Sequence, residues 1–266
     1  MRCRAGANVY SHLVVSVPTW RNWQTRWTQN PVLARVCGFD SLRRYHYFSS
    51  RSQTITATIS KEEISALPIR RYEGAVQLVA SAADLDRAEQ AILAEQVVGL
   101  DTETRPAFKK GQSYLPSLVQ VATSQTVFLF QVGRLDASAT LTKVLEAEHI
   151  TKAGIALAHD LIKLNQVFPF VARGILDLGD VASRNGLKQT GVRNLAGLFL
   201  GFRITKGART SNWSNPALSP SQIAYAASDA WVCRELYLHF QERGWLTTVP
   251  TKKTSPDTCV PGLVTG

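Results

Sequence analysis

An apolar run, Val97-Val98-Gly99-Leu100, leads without a break into Asp101-Thr102-Glu103. Four apolar residues with no polar alternation suit a strand that is covered on both faces. In an extended segment, side chains two apart point to the same side. Asp101 and Glu103 are therefore expected to project together beyond the end of a buried strand. This pairing constrains the chain more than any other feature, because a fold must bury the strand while leaving two carboxylates in reach of one another.

The surrounding sequence supplies the layers. Residues 75–79 read as a strand, and 82–96 as a helix with Leu85, Ala88, Ile92 and Leu93 near helical spacing. The β-rich runs 118–122 and 127–132, separated by Thr123 to Thr126, read as a hairpin. A helix is expected over 137–148, a third apolar strand over 150–157, and helices over 159–168, 176–185 and 192–200. Ser60 opens a short capped helix that Pro68 ends. The final helix is the best marked: Ser219 as N-cap, Pro220 in the first turn, Gln222 completing a capping box, and Gly244 past its end. Strands come first and helices dominate later, which points to a single α/β domain over about 70–247.

Composition excludes several classes. The chain is 45% hydrophobic and 19% charged, which removes collagen-like, coiled-coil and wholly disordered readings. No apolar run approaches the roughly 18 residues of a membrane span, so no membrane partner is expected. Cys3, Cys37, Cys233 and Cys259 have neither zinc nor disulfide spacing, so a reducing, cytoplasmic setting is the default. The five histidines show no metal spacing.

The net charge of +10 is unevenly placed: residues 1–70 carry +7 and residues 71–266 only +3. Residues 1–54 hold eight arginines, no lysine and one acid, Asp40, with Trp20, Trp23 and Trp27 crowded without periodicity. A mitochondrial transit peptide and a basic nucleic-acid arm both fit. The favoured reading is a mis-called start running through a transfer-RNA gene. Arg26-Trp27-Thr28-Gln29-Asn30-Pro31 can be encoded by a CTGGA/TCCAG hairpin around CTCAAAA, and Gly38-Phe39-Asp40 by GGTTCGA. Against it, Met1 is the only methionine. Residues 1–54 are thus expected to be a poorly ordered extension, and the polar tail 248–266 to be disordered.

Two further acids extend the first pair. Asp160 follows the apolar segment Ile155-Ala156-Leu157, and Asp229 lies on the capped helix four residues after Tyr225, on one face with it. Any one of these acids alone reads as a turn or cap residue. The ordered set is more specific: Asp-x-Glu leaving a strand, an Asp about sixty residues on, then Tyr-x-x-x-Asp on a helix. It closely resembles the tyrosine-bearing branch of the DEDD 3′–5′ exonucleases, to which ribonuclease D and the Werner-type exonuclease domain belong. The segments VVGLDTETRP, PSLVQVA, KAGIALAHDLIKL and NWSNPALSPSQIAYAASDAWVCRELY carry the resemblance across residues 70–247. His159 stands where relatives often carry another residue.

The resemblance implies an RNase H-like mixed β-sheet flanked by helices. It also implies metal-binding carboxylates at Asp101, Glu103, Asp160 and Asp229, and a catalytic tyrosine at Tyr225. The expected substrate is a nucleic acid with a free 3′ end. Physical chemistry agrees with the metal. Carboxylates about 4 Å apart repel by on the order of 4 kcal/mol per pair at an effective dielectric near 20, and oxygen-only ligands select Mg²⁺ or Mn²⁺. Two such ions would serve an in-line displacement at phosphorus. Asp101, Glu103 and Asp229 are expected to hold one, and Asp101 with Asp160 the other.

Residues 181–228 contain no acid but include Arg184, Lys188, Arg193, Arg203, Lys206 and Arg209, a segment able to follow a phosphate backbone. Arg105, Lys109 and Lys110 are further candidates. Arg105, Arg193, Lys206 and Arg209 are the favoured contacts. Trp213 reads as a packing residue before a base-stacking one. No glycine-rich phosphate loop is visible, so no nucleotide cofactor is expected. A nucleic-acid binder that kept the fold without turnover is the alternative of another class.

Overall fold

The structure, a computed structural model, describes residues 58–109 and 111–246. The expected extension over 1–54, the tail over 248–266 and Lys110 lie outside the described residues.

Ser60 caps helix α1 (Lys61–Ala66) in a reciprocal box with Glu63. Strand β1 (Ala75–Val79) and helix α2 (Ala82–Leu93, capped by Ser81) follow, then β2 (Val97–Thr104), β3 (Pro116–Ala122) and β4 (Thr126–Gln131). Helix α3 (Ser138–Glu146), β5 (Thr151–Gly154), α4 (Leu157–Asn165), β6 (Ile175–Asp177) and α5 (Leu178–Arg184) come next. The short α6 (Val192–Leu195) runs into a π-helical turn at Ala196–Leu200, and α7 (Pro220–Glu242) closes the described fold.

The six strands form one sheet in the order β1-β4-β3-β2-β5-β6. Strands β2, β3 and β4 are antiparallel, while β1 joins β4, and β5 and β6 extend β2, in parallel. This is the mixed sheet the sequence leads one to expect.

Strand alternation divides the core. Val98 and Leu100 of β2, Val119 and Val121 of β3, and Phe128 and Phe130 of β4 face one side, against Ile92, Leu141, Leu145, Leu157 and Leu164. Leu118 and Ala122 of β3 and Val127 and Leu129 of β4 face the other, against Trp213 and Ala226, Ala227 and Ala230 of α7. Each fully buried side chain of the larger kinds contributes about 1.5–3 kcal/mol, so both faces of the sheet are fixed. The small residues of α7 let it lie close. A Cβ on Gly99 would stand 1.9 Å from the Ala230 carbonyl oxygen, so only glycine admits the helix at this distance.

Residues 58–70 join the same body. Arg203 N–H donates to the Pro68 carbonyl and Arg70 N–H to that of Arg203, while Ile69 bridges Arg203. Ile59 and Leu67 lie 3.1 and 3.2 Å from where a Cβ on Gly197 would be. The packed body therefore begins upstream of the expected limit at residue 70.

Four sequence expectations are corrected. The strand expected over 150–157 stops at Gly154, because Ala156 adopts a left-handed conformation (φ 58°) and Leu157 already begins α4. The helix expected over 176–185 begins as strand β6. Its Asp177 then caps α5 by accepting from the Gly179 and Asp180 amides. The segment 192–200 is helical, but its second half widens to π geometry before Gly201 (φ 69°) ends it. The helix expected over 82–96 ends at Leu93, and the Gln96 carbonyl instead accepts from Thr151 N–H. No helix among the described residues is long and apolar enough to cross a membrane.

Candidate active site

Strand β2 continues through both acids to Thr104, with Asp101 paired to Gln120 and Glu103 to Leu118. Asp101 and Glu103 thus lie inside the strand rather than beyond its end, and a register irregularity follows between Glu103 and Thr104. They share the Gly99 side of the strand, which faces α7. Helix α7 supplies Asp229 one residue before the close contact at Ala230. One carboxylate oxygen from each of Asp101, Glu103 and Asp229 lies within 4.8 Å of the others.

Electrostatics at this cluster are adverse. Burial, then the Asp229 and Asp160 charges, hold the Asp101 carboxyl far above the carboxylate range. Burial and the three neighbouring acids push Glu103 up to about 9, against a smaller pull from Arg209. Burial raises Asp229 as well, opposed by a hydrogen bond from Tyr225 and by the Arg193 charge. The Tyr225 hydroxyl is driven upward by burial and by the acids, so it stays neutral and donates to Asp229.

Asp160 lies in the first turn of α4, half-buried and outside the close group of three. Its charge still reaches Asp101 and Glu103. Burial raises its own pKa, with His159 and Lys163 opposing.

The residues fit a hard cation. Asp229 is 6% exposed, yet its Oδ1 has no hydrogen-bond partner among the described residues. No lysine or arginine forms an ion pair with Asp101, Glu103 or Asp229 among the described residues. A buried carboxylate oxygen left unpaired costs at least about 1–3 kcal/mol. Three all-oxygen donors in reach of one point are what Mg²⁺, Mn²⁺ or Ca²⁺ accept.

Of the four favoured cationic contacts, Arg193 and Arg209 act on the acids, through Asp229 and Glu103 respectively. Arg105 is exposed with its guanidinium 4.9 Å above the Tyr114 ring, and Lys206 is exposed after Ile204. Trp213 is wholly buried, 6.0 Å from the Tyr225 ring, which makes it a packing residue behind the tyrosine. One residue the sequence reading passed over stands at the cluster: Gln120, wholly buried beside Asp101 with its amide unpaired. Its signal was a polar side chain at an inward position of the apolar run PSLVQVA.

The family model described as 3′–5′ exonuclease matches residues 76–245, well over half of the chain. The chain belongs to the 3′–5′ exonuclease family. It is 34% identical over 206 residues to the human exonuclease mut-7 homolog, covering 66% of this chain and 23% of that protein. It is 30% identical over 172 residues to ribonuclease D of Haemophilus influenzae, covering 63% and 42%. It is 33% identical over 148 residues to the mouse bifunctional 3′–5′ exonuclease/ATP-dependent helicase WRN, covering 53% and 10%. The matches thus span about half or less of these curated exonucleases' own length.

Solved structures agree on the fold. The Aedes aegypti Nibbler EXO domain superposes with a TM-score of 0.60 at 24% identity, over 67% of this chain and 92% of that one. Escherichia coli RNase D does so with a TM-score of 0.55 at 23% identity, over 64% and 46%. The mixed sheet and flanking helices are those of the RNase H-like exonuclease domain.

Proposed function

We propose that the chain hydrolyses phosphodiester bonds one nucleotide at a time from the 3′ end of a nucleic acid, using two divalent cations, Mg²⁺ or Mn²⁺. The convergence of Asp101, Glu103 and Asp229 within 4.8 Å carries this reading, on a fold and in a family whose named members are 3′–5′ exonucleases. In it, Asp101, Glu103 and Asp229 hold one ion, and Asp101 with Asp160 the other. When bound, the ions supply Lewis-acid stabilisation of charge on the attacking and leaving oxygens.

The remaining work falls to the protein. Tyr225 keeps its one hydroxyl proton and donates it in a hydrogen bond to Asp229. Its free lone pairs can accept a hydrogen bond from a water and so aim that water's oxygen at phosphorus. Arg193 and Arg209 bring positive charge to the rim of the acids, where a scissile phosphate would sit. RNA is among the proposed substrates. A Trypanosoma brucei RNase D of the same fold was solved in complex with RNA U12, with a TM-score of 0.57 at 19% identity over 63% of this chain and 62% of that one.

Matched DNA and RNA oligonucleotides, labelled at either end, test the proposal. With Mg²⁺ or Mn²⁺, a 5′ label should report a shortening ladder and a 3′ label immediate mononucleotide release, and EDTA should stop both. Asp101→Ala and Asp229→Ala should remain soluble and lose hydrolysis. Tight binding with no shortening in any metal would favour the inactive binder instead, and substantial activity in either variant would overturn the residue assignment.

A further inference from the structure

Gln120 occupies the middle of β3, between Leu118 and Ala122, whose side chains pack beneath α7. By strand alternation it faces the same side. Its cross-strand neighbour on β2 is Asp101, and directly opposed residues on one face hold their Cβ atoms about 4.5–5.5 Å apart. The Gln120 side chain is 0% exposed, and neither its Oε1 nor its Nε2 has a hydrogen-bond partner among the described residues.

Stability does not account for such a residue. Each unpaired buried polar atom costs about 1–3 kcal/mol, whereas an apolar side chain of the same shape would cost nothing at that position. On its other flank, β4 presents Leu129, which offers no partner. The polar group nearest in register is the Asp101 carboxylate, an acceptor beside an amide with two N–H donors. Asp101 also has the hardest task in the site, since the proposed arrangement asks it to serve both ions at once.

We infer that Gln120 is a positioning residue that acts through Asp101: its Nε2, unpaired in the structure, turns to donate to one Asp101 oxygen as the cations bind and so fixes the plane of the carboxylate, aiming the remaining lone pairs at the cations. This rests on the metal-binding reading above. A hydrogen bond that forms only with the ions in place adds to their affinity, because it satisfies a buried amide donor that is otherwise unpaired. Outer partners of this kind change metal affinity by about 10–100-fold when removed.

The test is Mn²⁺ binding to the full chain, followed by calorimetry, with melting of the metal-free protein alongside. Gln120→Met keeps the volume and removes the donors. Gln120→Asn keeps an amide but withdraws it by one methylene. Both are expected to weaken Mn²⁺ binding by about 10–100-fold. Gln120→Met should melt no lower than wild type without metal, since it removes two unpaired polar atoms. Hydrolysis should return toward the wild-type rate at high Mn²⁺, as a defect in affinity requires. A wild-type Mn²⁺ isotherm in whichever of the two variants folds would overturn the inference. A collapse of the metal-free Gln120→Met protein, with unchanged affinity in Gln120→Asn, would overturn it too, by making Gln120 a packing residue. If wild type itself binds no Mn²⁺, the metal reading fails rather than the role of Gln120 alone.

Discussion

Gly99→Ala would add a single methyl group, with no change of charge, two residues from Asp101. That methyl would meet the Ala230 carbonyl oxygen at 1.9 Å, the Ala230 carbonyl carbon at 3.0 Å and the Arg234 nitrogen at 2.9 Å. All three are backbone atoms, so no side chain can rotate aside. Helix α7 must retreat by about 1 Å merely to restore a 3.0 Å contact. Asp229 precedes Ala230 and would travel with it. A Mg²⁺ ion takes oxygens at about 2.0–2.1 Å, so two of its ligands are never more than about 4.2 Å apart. The present spread of up to 4.8 Å can close on an ion by side-chain adjustment, but a further 1 Å leaves that range. A 1 Å misplacement costs about 10²-fold in rate. Overpacking should cost about 1–3 kcal/mol of stability. At about 2–4 °C per kcal/mol for a body of this size, the melting temperature should fall by several degrees. The assay is initial-rate release of 3′-labelled mononucleotide against Mn²⁺ concentration, with thermal melting in parallel. Gly133→Ala, whose Cβ meets nothing within 4 Å, serves as control. A Gly99→Ala protein with wild-type rate and metal dependence would refute the claim that helix-to-strand contact sets the carboxylate spacing.

Lys152 is wholly buried and its ammonium donates to the Ala147 carbonyl, yet burial lowers its pKa to about 8. A lysine pKa depressed on folding means that the folded state disfavours the charge. The penalty is full below about pH 8 and fades as pH rises toward the ordinary 10.5. Lys152→Met should therefore stabilise the protein by about 1–3 kcal/mol at pH 7, and by less at pH 10, as denaturant melts would show. Ala156 holds φ at 58° immediately before α4. Ala156→Gly should raise stability by up to about 1 kcal/mol by removing the Cβ clash, measured by the same melts. Tyr225→Phe removes the hydroxyl that donates to Asp229. It should lower the turnover rate by about 10²-fold while shifting the Mn²⁺ midpoint far less, which a rate-against-metal titration separates.

Sequence legibility followed the range of the forces involved. The long helix α7 was readable because Ser219, Pro220, Gln222 and Gly244 act within a few residues of themselves. The hairpin of β3 and β4 was readable because its apolar runs flank a short turn. The end of β5 was not, since Ala156 is left-handed without being glycine or asparagine, and no side chain caps α4 there. Strand β6 was invisible because three residues carry no periodicity and its pairing with β5 is remote in sequence. For the site, order and spacing put Asp160 and Asp229 on helices, but Asp101 and Glu103 beyond the end of β2 rather than inside it. What they left unstated was distance: that three acids meet closely, that Asp160 stands outside them, and that Gln120 lies beneath Asp101.

The contacts upstream of β1 also bear on where a working fragment can be cut. The family match starts at residue 76, but Ile59 and Leu67 fill the notch over Gly197, and Pro68 and Arg70 tie down the strand-like stretch at Arg203. That stretch is the root of the loop bearing Arg209. Trimming to the match boundary would unroof a greasy hollow and unpin the arginine loop at its base. The first dozen or so described residues behave as a buckle at the base of that loop.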